Sequence, residues 1–284
     1  MNIQELFGLT GKNVLITGAG SGMGYTACKL LRELGANVYA TVRSKPLDFP
    51  VTREIKVDLA DPKSIDGLID QLPEELEALF ICHGISNNLG MTNGRLVQIT
   101  NFLSFKYLTE KLLPRIADNG SVTFISSNGG KGWRVNLAPA KELIATATWE
   151  EALAWYDAHP KLTGAGYTFA KECQNVYVMT KCQAPEFASR RIRINAIAPG
   201  LTKTGLTETF NASITGNAAQ GQAILEHLYL SSWNGRWASA EEMGHPMVML
   251  GSKLCSYVSG QILYIDYGGA SVSEIEELEK AAGK

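Results

Sequence analysis

The chain has 284 residues, 45% hydrophobic and 19% charged, with a formal net charge of −2; this suits one large domain or two small ones and leaves no basic excess for nucleic acid. Five scattered cysteines (Cys28, Cys82, Cys173, Cys182, Cys255) show no CxxC spacing, which points to free thiols in a reducing, cytoplasmic setting rather than a disulfide framework. The opening stretch "MNIQELFGLTGKNVLITG" has no basic segment followed by a long apolar core, and no run approaches the ~18 apolar residues of a membrane span.

"NVLIT" (13–17) reads as a first buried strand. The loop "GAGSGMG" follows, and then Ala27, Leu30, Leu31 and Leu34 recur at helical spacing up to Gly35, a natural stop. Gly18, Gly20, Gly22 and Gly24, with Ser21 and Met23 between them, allow a sharp turn and close approach of a pyrophosphate. The helix behind them would offer unpaired N–H groups and positive potential. The spacing is G-x-x-x-G-x-G rather than the usual G-x-G-x-x-G, so the loop's place between strand and amphipathic helix carries the reading. An ordinary glycine-rich turn is the alternative.

"NVYATV" (37–42) is the second strand. Val42 stands where an acidic residue would accept from a ribose 2′-OH, and Arg43, Ser44 and Lys45 follow. This cationic, hydroxyl-bearing corner suits a 2′-phosphate, so NADP(H) is expected ahead of NAD(H), with a solvated basic turn as the alternative. "EIKV" (54–57) is the third strand; Asp58, with Leu59 beside it, is placed to meet an adenine amino group. Ile65, Leu68, Ile69 and Leu72 mark the next helix, and "ALFIC" (78–82), "SVTFIS" (121–126), "RINAIA" (193–198) and "QILYID" (261–266) complete seven strand candidates. Ser239 and Glu242 form a capping box for the last major helix, and residues 271–284 read as a helical or frayed tail. The alternation predicts a single Rossmann-type α/β domain with a doubly wound, seven-stranded parallel sheet.

Residues 131–163 interrupt the alternation. Thr148 and Glu151 make a capping-box pattern, Pro160 stops the run, and Trp133, Trp149 and Trp155 make the segment unusually aromatic. An inserted helical hairpin is predicted, with an irregular surface loop as the alternative.

Four tyrosines stand four residues before a lysine: Tyr25/Lys29, Tyr107/Lys111, Tyr167/Lys171 and Tyr177/Lys181. Each pair shares a helix face, so spacing alone selects none. Ligands of such sheets bind outside the C-terminal ends of the strands. Tyr107, six residues past Asn101, lies roughly 9 Å down a helix, and Tyr177 lies roughly 15 Å beyond Tyr167, at 1.5 Å per residue. Tyr25 packs into the first helix, which leaves Tyr167 as the tyrosine at a helix start, just after Gly164 and Gly166.

The TGxxxGxG loop, Asn101 in "QITNFL", Ser127 in "ISS", YxxxK at 167–171, "APGLTKT" (198–204) and "YIDYGG" (264–269) occur in the order found in the short-chain dehydrogenase/reductase family, which the chain resembles. The resemblance implies that Tyr167 exchanges a proton with a carbinol or carbonyl oxygen, Lys171 holds the nicotinamide ribose, Ser127 bonds the substrate oxygen, and Asn101 supports a water-mediated relay. A free tyrosine has a pKa of about 10, so a nearby ammonium and a cationic nicotinamide are expected to lower it. The resemblance also places Pro199, Gly200, Leu201, Thr202 and Thr204 at the nicotinamide and phosphates.

Two departures stand out. The family's Asn-Asn-Ala-Gly is here "ICHG", which leaves Cys82, His83 and Gly84 beside the cofactor and the structural asparagine missing. His159, His227 and His245 show no ligand spacing that would join Cys82 and His83 in a metal site, so no metal is expected. The insert also separates Ser127 from Tyr167, a layout resembling bacterial 3α-hydroxysteroid dehydrogenase/carbonyl reductases. Residues 205–237 would then form a substrate lid, with Phe210, Leu228, Tyr229, Trp233 and Trp237 walling a flat apolar ligand, or else serving as lid packing or an oligomer contact. The resemblance implies a hydroxysteroid or similar alcohol/ketone substrate and a homodimer or homotetramer. A carbonyl, acyl or quinone reductase and a non-catalytic NADP(H)-sensing protein remain the alternatives.

Overall fold

The computed structural model describes residues 2–87, 94–205, 207–230 and 235–283. Its elements run α1 (Ile3–Phe7), β1 (Asn13–Thr17), α2 (Gly22–Glu33), β2 (Asn37–Val42), β3 (Arg53–Lys56), α3 (Pro62–Ile69), β4 (Leu76–Ile81), α4 (Gly94–Gln98), α5 (Ser104–Leu112), β5 (Ile116–Ile125), α6 (Leu137–Ala145), α7 (Trp149–Ala158), α8 (Pro160–Gly164), α9 (Tyr167–Lys181), α10 (Pro185–Ala188), β6 (Arg193–Pro199), α11 (Thr207–Thr215), α12 (Ala218–Tyr229), α13 (Glu241–Gly251), β7 (Ile262–Ile265) and α14 (Gly269–Ala281). The strands form one parallel sheet in the order β3-β2-β1-β4-β5-β6-β7. The order reverses between β1 and β4, and their C-terminal ends open the crevice where ligands of such sheets bind.

Each strand prediction lands on a strand of the sheet. β5 starts five residues earlier than its apolar run, because Ile116 pairs with Leu76 before the register shifts between Leu76 and Ala78. The intervening polar "ADNG", with Asn119 at φ 65°, hid this first pairing from hydrophobic patterning. α2 ends as predicted, with Gly35 beyond its cap at φ 79°.

Two cores lie on opposite faces of the sheet. Leu31 of α2 and Met247 of α13 pack with Val14 and Ile16 on one side. On the other, Phe102, Phe105, Phe124, Phe169 and Tyr177 pack together. The predicted insert is helical, comprising α6, α7 and α8, and it adds Leu143, Trp149, Ala152 and Tyr156 to this second core. Trp149 meets Tyr107 edge-on at 5.4 Å, while Trp155 stacks on Phe169 at 5.8 Å. The insert therefore covers α5 and α9 with its own apolar residues.

The caps differ in detail. Thr148 accepts from Glu151 N–H (3.1 Å), but Glu151 accepts from Ala147 rather than Thr148, so only half of the predicted box forms. Pro160 does more than stop α7: it begins α8, where its missing N–H costs nothing. Ser239 and Glu242 do form the reciprocal box. The tail is helical, as α14.

Candidate active site

The C-terminal ends of the strands and the α11–α12 segment enclose a cleft of about 670 Å³. Gly18, Gly20, Ser21, Gly22, Met23 and Gly24 form one wall. Gly18 has φ 67°, and a Cβ there would stand 2.8 Å from the His83 backbone, so the close approach of the segments leaving β1 and β4 admits no side chain. Ser21 precedes α2 without a side-chain cap bond, which leaves the N–H groups of its first turn for a ligand. Arg43 and Ser44 at the end of β2, and Asp58 and Leu59 after β3, continue the wall. Arg43 is exposed and makes no ion pair among the described residues. Pro199 ends β6, Gly200, Leu201, Thr202 and Thr204 follow it, and a Cβ on Gly22 would meet the Thr204 side chain at 3.3 Å. A turn requiring glycine, an open helix N-terminus and a cationic corner fit a phosphorylated dinucleotide. Among the described residues no cluster of histidine, cysteine, aspartate and glutamate could hold a metal ion.

Cys82, His83 and Gly84 line the cleft at the end of β4. His83, the third residue of "ICHG", is a fully committed bridge. Its Nδ1 lies 2.8 Å from Thr17 Oγ1 and its Nε2 lies 2.8 Å from Ser104 Oγ. Ser104 already donates to the Thr100 carbonyl, so it accepts from Nε2–H, and Thr17 donates to Nδ1. Burial and the nearby Lys171 push the imidazole down to about 3, so it stays neutral. Burial also pushes the Cys82 thiol up, which keeps it protonated.

Tyr167, Lys171 and Ser127 line the same cleft. Tyr167 is the first residue of α9, and Lys171 Nζ lies 5.5 Å from its ring centroid. Ser127 caps the short 3₁₀ helix after β5 by accepting from Gly129 N–H (3.1 Å). A Cβ on Gly129 would lie 3.5 Å from both Ser127 Oγ and the Tyr167 ring, which sets serine and tyrosine side by side. Ser126 instead faces inward, bonded to Asn175 Oδ1 at 2.6 Å. The other pairs lie elsewhere: Tyr25 bonds Asp48, Tyr107 bonds Asp66, and Tyr177 is buried in the core.

The electrostatics correct one expectation. Burial raises the Tyr167 pKa, and the opposing effect of Ser127 is smaller. Lys171 is itself buried and donates to the Ile125 carbonyl (2.7 Å); burial pushes it down to about 7. In the protein alone, desolvation outweighs the help expected from an adjacent ammonium.

Asn101 lies behind the cleft wall rather than on it. It is fully buried in a π-helical turn, Ile99–Leu103, accepting from Ile85 N–H and donating to Ile85 O, both at 2.8 Å. Its main-chain carbonyl accepts from Gln174 Nε2 (2.7 Å). Among the lid residues, Phe210, Tyr229 and Trp237 line the cleft with Ile214 and Leu225. Leu228 does not: it is 64% exposed on the outer side of α12. Trp233 lies outside the described residues.

Sequence reasoning missed the groups that hold these side chains. Asn175 fixes Ser126, and Asn128, tied to Asp266 at 2.8 Å, anchors the segment after Ser127. Asn87 and Gln98 hold the start of α9. Each contact joins residues far apart in the chain, and local pattern carries no signal for it.

A family model described as short chain dehydrogenase matches residues 12–139, and one described as enoyl-(acyl carrier protein) reductase matches residues 163–270. The chain is 31% identical over 264 residues to a coniferyl-alcohol dehydrogenase of Pseudomonas sp. (strain HR199 / DSM 7063), covering 93% of this chain and 98% of that protein. It is 26% identical over 270 residues to a 3alpha-hydroxysteroid dehydrogenase of Mediterraneibacter gnavus, covering 91% and 96%. The solved 3-alpha-hydroxysteroid dehydrogenase from Pseudomonas sp. B-0831, complexed with NADH, shares the fold with a TM-score of 0.71 at 20% identity, covering 89% of this chain and 95% of that one. The chain belongs to the short-chain dehydrogenase/reductase family. It is an NAD(P)-dependent oxidoreductase acting on alcohols and ketones.

Proposed function

We propose that the protein interconverts an apolar, ring-bearing alcohol and its carbonyl compound with NADP(H), using Tyr167, Ser127 and Lys171. The observation that carries this reading is the convergence of the Ser127 hydroxyl and the Tyr167 ring at one point of the cleft wall. Bound NADP(H) supplies or accepts the hydride. Ser127 holds the substrate oxygen by a hydrogen bond and Tyr167 gives that oxygen its proton or removes it. Lys171 lowers the cost of charge on the phenol and binds the nicotinamide ribose. Asn101 acts from behind the wall by fixing the loop at Ile85. Arg43, Ser44 and Lys45 favour a 2′-phosphate, which sets NADP(H) ahead of NAD(H).

The substrate reading starts from the apolar wall of Phe210, Ile214, Leu225, Tyr229 and Trp237, with α11 and α12 serving as the lid. Phe210 meets Tyr167 edge-on at 5.7 Å, so a flat ring entering here would lie against an aromatic side chain beside the phenol. The relative at 31% identity favours an aromatic alcohol of the coniferyl class. A hydroxysteroid is the second reading, favoured by the 26% relative and by the helical insert. A panel of cinnamyl-type alcohols and aldehydes, hydroxy- and oxosteroids and small ketones, run with NADP(H) and NAD(H) and read at 340 nm, tests both. The first reading expects kcat/KM for coniferyl alcohol to exceed that for any steroid. The reverse order selects the steroid reading, and turnover of neither overturns both.

The same proposal includes a homodimer or homotetramer. The insert already covers α9, whereas Val272, Ile275 and Leu278 form an exposed apolar stripe on α14. Light scattering after size exclusion reads the mass, and a monomer at micromolar concentration contradicts assembly.

A further inference from the structure

The helix that presents Tyr167 has no cap of its own. Its N-cap residue is Gly166, with φ 55° and ψ −109°, and glycine has no side chain to accept from the first turn. An uncapped helix start leaves backbone donors unpaired, and here that start carries the proton-transfer residue. The structure fills the gap from another part of the chain. Asn87 Oδ1, in the loop leaving β4, accepts from Tyr167 N–H at 3.2 Å. Gln98 Nε2, at the end of α4, donates to the Gly166 carbonyl at 2.7 Å. The approach is close: a Cβ on Gly166 would stand 2.5 Å from Asn87 Oδ1.

The loop that supplies Asn87 is held on its other side. Asn101 grips both the N–H and the carbonyl of Ile85, two residues before Asn87. Gln174, two turns along α9, donates to the Asn101 carbonyl. The π-helical turn, the β4 loop and α9 thus form a closed ring of amide contacts with Tyr167 N–H in it. Residues 84–87 line the cleft, so the loop that borders the substrate also sets the start of the tyrosine helix.

We propose that Asn87 is a positioning residue for Tyr167: its amide oxygen accepts from the first N–H of α9, and this contact fixes the phenol relative to the cleft. This rests on the reading that Tyr167 transfers the proton. Asn87 does not need to touch substrate or cofactor for this. An acceptor for a first-turn N–H can come from any chain segment that presents an oxygen to it. Small misplacement of a reacting group is costly to rate, on the order of 100-fold per ångström.

Two substitutions separate acceptor from volume. Asn87→Ala removes the acceptor. Asn87→Asp keeps it and adds a negative charge at a helix N-terminus, where charge of that sign is favoured. The groups facing the phenol are Lys171 from α9 and Ser127 from the segment after β5. A carboxylate at residue 87 would add a like charge and disfavour phenolate. Asn87→Ala should lower kcat for the best alcohol of the panel about tenfold or more. NADPH affinity, read by fluorescence titration, should stay within about twofold, because the substitution leaves the glycine loop untouched. Amide hydrogen exchange at Tyr167 and Thr168 should speed up. Asn87→Asp should restore slow exchange and most of kcat, and move the tyrosine limb of the pH–kcat profile upward.

Unchanged kcat and exchange in Asn87→Ala overturn the proposal, as does an Asn87→Asp variant that loses as much as Asn87→Ala. If Asn87→Ala does not fold, Asn87→Asp alone decides: slow exchange with an upward-shifted limb supports the role, and an unmoved limb with slowed turnover sinks it. Failure of the underlying reading looks different, because a Tyr167→Phe variant would then keep its turnover whatever Asn87 does.

Discussion

Replacing Lys171 with Met tests how burial sets the charge beside Tyr167. The lysine is 4% exposed, its Nζ donates to the Ile125 carbonyl, and burial takes its pKa from the ordinary 10.5 to about 7. Between those values the unfolded chain holds a proton that the folded protein has lost. Stability should therefore rise with pH through that window, and below pH 7 the cost of the buried cation is fully present. Met keeps an apolar stem and removes the titration. The wild-type stability minus the variant's, from urea unfolding of ligand-free protein, should grow by about 1.4 kcal/mol per pH unit, or nearly 3 kcal/mol between about pH 7.5 and 9.5. Taking the difference cancels the other groups that titrate in this range, including the buried cysteines. A difference that does not change with pH would mean that the Ile125 carbonyl and nearby dipoles keep Lys171 charged despite its burial.

Three further outcomes follow from the fold and the cofactor wall. Arg43→Ala should weaken NADPH binding by about 10- to 100-fold, the size of one charge-assisted contact, and leave NADH binding within about twofold; equal losses for both cofactors would remove the 2′-phosphate assignment. Trp149→Ala, at the contact between insert and core, should cost about 3–5 kcal/mol of unfolding free energy, and a loss under ~1 kcal/mol would show that the insert is not part of the core. Gly18→Ala should abolish cofactor binding in a fluorescence titration, because the side chain meets both a positive φ and the His83 backbone at 2.8 Å.

The sheet and the glycine wall were legible because their signals are local. Apolar runs, the G-x-x-x-G-x-G loop and the sequence order of Ser127, Tyr167 and Pro199-Gly200 can be read without knowing what packs against what. What stayed hidden depends on partners distant in the chain. Nothing local shows what His83 does; only the fold puts Thr17 of β1 and Ser104 of α5 on either side of it. Asn87 gave no signal, since its partner lies 80 residues away. Hydrophobicity alone puts Leu228 on the cleft wall. Leu225 and Tyr229, four apart, share the inward face of α12, and Leu228 falls about 100° from Tyr229 around the helix. The direction of the tyrosine's pKa shift was missed for a related reason: spacing showed a lysine one turn away, but not that both groups are desolvated.

The function proposed for this cleft turns on Tyr167 handling the proton in a hydride transfer. Steady-state turnover of Tyr167→Phe with the best panel alcohol, beside a fluorescence titration of the same protein with NADPH, tests it most directly. In that variant kcat should fall by about 100-fold or more, the range for loss of a general acid–base group, while NADPH affinity should stay within about threefold. A variant that binds NADPH and turns over at the wild-type rate would contradict it.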